Sequence, residues 1–236
     1  ATPMGLIGGE PYKIIELSPY LGSNKATSSV ILFSAMHFLA HFIFWMLSIT
    51  LTLVIIPLDL TWKIALSTSF IICLLLFNLT LKGCNKGIIN SVFKCVKRLP
   101  PLEHIVTKFI EKNKNNIQII DSQIKGLQNN NPTIFYATLI IELAARIISC
   151  AELYFLFIAY QTPIKFIDCI LIMAFTSLLA NILFFMPLQI GTREAGFILS
   201  MKLLGLSPTL AITISIVTRI RELFWMIIGI ILIKIK

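Results

Sequence analysis

The sequence predicts an all-α fold: a polytopic integral membrane helical bundle with about five full spans and two broken or re-entrant helical segments, in one domain over residues 1–236. Three observations carry that prediction. The 236 residues are 57% hydrophobic and only 13% charged, with mean hydropathy +0.88, which removes the soluble globular class. Apolar runs of spanning length recur along the chain, each closed by a turn signal. The charge is also uneven: the formal net charge is +9, and nine lysines or arginines face three acids between Lys82 and Asn131. That bias follows the positive-inside rule and marks a cytoplasmic segment, so the basic balance needs no nucleic-acid partner.

The elements follow in order. Residues 1–25 hold Pro3, Pro11, Gly5, Gly8 and Gly9, too broken a composition for a spanning helix, and read as a first broken or re-entrant segment carrying Glu10. A frayed interfacial terminus is the plainer reading of the same stretch. Two spans occupy 27–81. The first starts at the good N-cap residues Thr27, Ser28 and Ser29 and stops at Pro57, and the second opens on Trp62 as an interfacial anchor. Residues 82–131 form the basic helical linker. Within it Ile105, Phe109, Ile117, Ile120, Ile124 and Leu127 recur at near-helical spacing, and Pro100-Pro101 separates this amphipathic stretch from the preceding helix. Two further spans fill 133–186, a second broken segment covers 187–206, and the last span runs over 207–233.

The second broken segment holds the strongest functional signal. Pro187, Gly191 and Gly196 interrupt helix formation where Arg193 and Glu194 sit in otherwise apolar sequence. Irregular backbone at membrane depth survives only where protein or a hydrated cavity satisfies it, and an intramembrane charge is a functional hypothesis by default. Arg146, Arg193, Arg219 and Arg221 oppose Glu142, Glu152, Glu194 and Glu222, which predicts a mutually neutralised interior network. Glu142 and Arg146 lie four apart and can pair along one face. His37 and His41 also share a face. They read as interior hydrogen-bonding histidines, with a metal pair or a proton relay as alternatives, and no third ligand stands at a usable spacing. No metal and no cofactor is expected. The five cysteines are odd in number and form no CxxC, which points to reduced fillers.

A weak repeat is also visible: Pro3 precedes Glu10 by seven residues as Pro187 precedes Glu194, and each unit continues into a Leu-Gly turn (Leu21-Gly22, Leu204-Gly205) and a long span. Duplicated broken segments point to a transporter-type site.

At these residues the chain resembles the transmembrane region of the lysylphosphatidylglycerol synthases and the flippase-like proteins built on it. The resemblance rests on Gly8-Gly9-Glu10-Pro11-Tyr12-Lys13, on Pro187, Gly191 and Arg193-Glu194-Ala195, and on Leu204-Gly205 and Arg219. It implies a helical domain that moves phospholipids, anionic or aminoacylated, between leaflets, with Glu10, Arg193, Glu194 and Arg219 at substrate-binding positions. Glu142, Arg146, Glu152, Arg221, Glu222, His37 and His41 would support them. The family's larger members add a soluble aminoacyl-transferring domain, which neither the linker nor the sequence's end supplies. Their first spans also precede the Gly-Gly-Glu motif, so this sequence reads as a fragment or shortened form. The resulting expectation is a non-enzymatic lipid translocator in a bacterial cytoplasmic membrane, with Glu10 and Arg193-Glu194 facing one another across a hydrated groove. The alternatives are a scaffold role beside a lipid- or glycan-modifying membrane enzyme and a membrane-embedded enzyme acting on a lipid headgroup; a homo-oligomer or a membrane enzyme is the expected protein partner.

Overall fold

A computed structural model of the chain describes residues 5–87, 115–126, 132–183, 189 and 191–235. Seven helices have defined ends among them: α1 (Gly5–Leu21), α2 (Ser23–Ile55), α3 (Leu60–Lys86), α4 (Pro132–Ala159), α5 (Phe166–Ile182), α6 (Thr192–Leu203) and α7 (Pro208–Ile235). Residues 115–126 are helical as well, and no described residue is in a strand. The fold is therefore an all-α membrane bundle. Pro187, Pro100-Pro101, Ile105, Phe109 and Leu127 lie outside the described residues.

Among the described residues, three helices are long and apolar enough to cross a bilayer: α2, residues 60–84 of α3, and α4. The other two expected spans differ for identifiable reasons. α5 has 17 residues, about 25 Å at 1.5 Å per residue, slightly less than a typical hydrocarbon core. α7 has ample length, but Arg219, Arg221 and Glu222 interrupt its apolar character. α1 runs through both Pro11 and Pro19 and ends at Gly22, whose φ of 78° is readily adopted by glycine. α6 ends in the same way before Gly205, at φ 72°.

The chain divides into two compact units. The first comprises Ala1–Gly9, Leu47–Ser67 and Ala145–Lys236, and the second Glu10–Met46 and Thr68–Ala144.

In the second unit, Ala35, Met36, Leu39 and Ala40 of α2 form the i, i+3, i+4 face expected of a packed helix. They meet Cys84 of α3 and Phe135 and Leu139 of α4. The stretch 115–126 buries Ile117, Ile120 and Ile124 in the same unit, and the Ser28 hydroxyl donates to Gln123 Oε1 at 2.7 Å. Gly87, at φ 108°, lies so close to Asp121 that a Cβ would fall 2.4 Å from its carboxylate.

In the first unit, Leu153 and Phe157 of α4, Ile172 of α5, Phe197 and Met201 of α6 and Ile214 of α7 are fully enclosed. Lipid tails are as apolar as leucine, so helices here associate by close packing of small residues rather than by hydrophobic drive. Thr192, Gly196 and Ser200 supply that packing at four-residue spacing along α6, all three buried. A Cβ at Gly196 would stand 2.8 Å from the Cα of Thr176, so only glycine permits this approach of α5 and α6. The outer positions keep apolar side chains in contact with the surroundings, including Ile71, Ile72 and Leu75 of α3 and Ile140, Ile148 and Phe155 of α4. Cys73, Cys84, Cys150 and Cys169 are buried and free.

Candidate functional site

The first unit gathers six of the charges around the break that precedes α6. Gly191, at φ 83°, caps α6, and Glu194 stands at its third helical position. From there the Glu194 carboxylate reaches back and accepts the Gly191 N–H at 2.7 Å, the reciprocal half of a capping box. Its negative charge also lies against the positive end of the helix dipole. Lys165 and Asp168 repeat the device at the start of α5, with the Lys165 N–H donating to Asp168 at 3.2 Å.

α7 supplies the cationic counterpart. Arg219 Nε donates to Glu194 Oε1 at 3.2 Å, and its Nη2 donates to the Gln189 carbonyl at 2.8 Å. Gln189 holds the unusual φ of 53° for a non-glycine residue. Arg219 and Glu194 thus fasten both a carbonyl and an N–H of the irregular backbone, which the bilayer itself would leave unsatisfied.

A second set continues from this one. Arg193 Nη1 donates to Glu222 Oε1 at 2.5 Å. Glu222 lies three residues beyond Arg219, on the same side of α7. The same Glu222 oxygen lies 3.9 Å from Arg221 Nη2, and Arg221 also pairs with Glu152 of α4. Three arginines therefore face three glutamates. The Arg193 side chain is the most enclosed of the six at 16% exposure, while Glu222 is 34% exposed. Arg193 contacts a carboxylate that is 34% exposed, whereas Arg219 is shared between the Glu194 carboxylate and the Gln189 carbonyl.

The second unit holds a different arrangement. His37 Nδ1 lies 3.3 Å from Glu142 Oε2, joining α2 to α4. The His37 and His41 rings meet edge to face at 5.1 Å, and His41 lies 5.1 Å from the ring of Trp45. Glu10 also belongs to this unit, where it accepts from Lys13 Nζ at 3.0 Å. Arg146, one turn beyond Glu142 on α4, is half-buried and falls in the first unit. No group of three or more His, Cys, Asp or Glu suited to a metal occurs among the described residues.

Sequence reasoning missed three features. Gln189 acts through its backbone carbonyl, which carries no side-chain signal. The Thr192-Gly196-Ser200 stripe was detectable as a small-xxx-small pattern. The tertiary partner of Glu142 lies on another helix, beyond the reach of spacing along α4.

Comparison with known proteins adds one match. The family model described as "Lysylphosphatidylglycerol synthase TM region" matches residues 1–230, and no other domain is shown. No curated protein and no solved structure matches the chain.

Proposed function

Because the chain belongs to the family of the lysylphosphatidylglycerol synthase transmembrane region, and is thus an integral membrane protein of lipid metabolism or transport, we propose that it moves phospholipids between leaflets without changing them chemically. The observation that supports this reading is the pairing of the enclosed Arg193 with the partly exposed Glu222 beside the break. A headgroup phosphate offers the same oxygen geometry as a carboxylate, and the planar guanidinium suits both. The phosphate takes the place of Glu222 on Arg193, while the acyl chains stay in the bilayer. Arg219 and Glu194 hold the irregular backbone in shape during that exchange. Three arginines against three glutamates keep the empty site neutral, which limits the cost of burying it. Anionic phospholipids, aminoacylated or plain, are the proposed substrates. The proposed location is a bacterial cytoplasmic membrane with residues 82–131 on the cytoplasmic side.

Leaflet exchange of fluorescent phospholipids in proteoliposomes tests the proposal. The wild-type chain should exchange lipid and Arg193→Gln should not, with folding of both verified by their unfolding transitions. Equal exchange in Arg193→Gln would sink it. The complete pairing of the six charges also suits a second reading, a non-transporting scaffold for a membrane enzyme. Folded wild-type protein that exchanges no tested headgroup, yet co-purifies with a stoichiometric enzyme, would establish that reading instead.

A further inference from the structure

We propose that His37, His41 and Glu142 form a proton-binding site in the second unit, and that the proton held there is the cation coupled to transport. The coupling rests on the lipid-translocation reading, but the proton site does not. The observation is a titratable pair shared by two helices of spanning length. His37 stands on α2 and Glu142 on α4, with 3.3 Å between Nδ1 and Oε2.

Imidazole is the side chain that ordinarily changes charge between pH 5 and 8. With a proton bound, the pair sums to zero, whether the proton is written on the ring or on the carboxyl. Without it, the pair carries one negative charge. The two states therefore differ in their cost of residing in a bilayer, where an unpaired charge is expensive and a paired one much less so. This sets the pair apart from the arginine cluster, whose cations keep their charge at every accessible pH.

The His37 side chain is 47% exposed, and further rings continue from it along α2. Phe33, His37, His41 and Trp45 recur every four residues, so they line one face of α2, and consecutive rings are 6.2, 5.1 and 5.1 Å apart. Phe33 is 45% exposed and Trp45 only 6%, so the file runs from an open end to an enclosed one. His41 is the next titratable group inward from His37.

The neighbouring elements carry charged and titratable groups as well, among the described residues. α1 presents Lys13, whose ammonium sits 4.7 Å over the Phe33 ring and pairs with Glu10. α3 brings the buried Cys84 into the adjoining core, and α4 carries Arg146 one turn past Glu142. In the stretch 115–126, Asp121 lies beside Gly87 and Gln123 binds Ser28, nine positions before His37 on α2.

Two readouts on the full chain in lipid nanodiscs and proteoliposomes test the inference. The chain contains three histidines, so nitrogen-15 histidine spectra are assignable by single His→Gln variants. The His37 resonance should titrate between pH 5 and 8, and Glu142→Gln should change its midpoint while leaving His104 unaltered. A His37 resonance that does not titrate, or one indifferent to Glu142→Gln, overturns the proton site. In proteoliposomes, wild-type lipid exchange should vary at least threefold between pH 5.5 and 8, and His37→Gln should flatten that profile. A pH profile unchanged by His37→Gln overturns the coupling. If the resonance titrates as expected but wild-type protein exchanges no lipid at any pH, the translocation reading and the coupling fall, and the proton site stands.

Discussion

The two units solve the same problem, polar groups in apolar sequence, with opposite chemistry. Around α6 and α7 the cations are guanidiniums, each tied to a carboxylate, and the sum of charges is fixed. Between α2 and α4 the cation is an imidazole, present only when a proton is bound. α4 contributes a glutamate to each, Glu152 to the first and Glu142 to the second. The difference teaches that a half-buried carboxylate is defined by its partner: beside arginine it meets a permanent charge, and beside histidine a cation that exists only when a proton is bound.

That contrast can be broken by experiment. The largest effect should come from Arg193→Gln, which lowers lipid exchange roughly a hundredfold, on the order of 2.7 kcal/mol in barrier. A loss below threefold would show that the fixed charges serve the scaffold only. Next comes Glu222→Gln, which leaves the Arg193 and Arg221 charges less compensated. Discounted for partial exposure, it should destabilise the protein by about 2 kcal/mol, seen as a lowered unfolding temperature in detergent at every pH from 5 to 8. A loss confined to acid or to alkali would erase the distinction drawn above. Glu142→Gln keeps a hydrogen-bonding group beside His37, and its cost should be smaller, about 1 kcal/mol, and unequal at the two ends of that pH range. A uniform cost would sharpen the comparison against a switch. The smallest effect belongs to Lys13→Gln, which removes an exposed i, i+3 pair and one ring contact. A change of about 0.5 kcal/mol is expected, and one above 2 kcal/mol would mean that Lys13 holds more than Glu10 and Phe33.

The helices were legible because apolar runs of spanning length have few alternatives in a chain this hydrophobic. α3 and α4 start within two residues of the expected positions, whereas α2 starts at Ser23, so Thr27, Ser28 and Ser29, read from the sequence as its cap, lie inside the helix. The charged residues of the site were visible individually, since each stands out against its neighbours. Their grouping was not, because which arginine meets which glutamate depends on tertiary approach. Glu142 illustrates this: spacing offers Arg146 on its own helix, while the fold also brings His37 from α2. The role of Arg219 was hidden for another reason, since its acceptor at Gln189 is a carbonyl that every residue type possesses.

The contact between Gly196 and Thr176 has a mechanical consequence. α6 is a 12-residue rod, about 18 Å long, with a left-handed glycine just outside each end, Gly191 and Gly205. Near its middle it is pressed against the α5 backbone with no room for a methyl group. A methyl group at Gly196 would therefore have to push α6 off α5, and Arg193, less than one turn away on the same helix, would be displaced with it relative to Glu222.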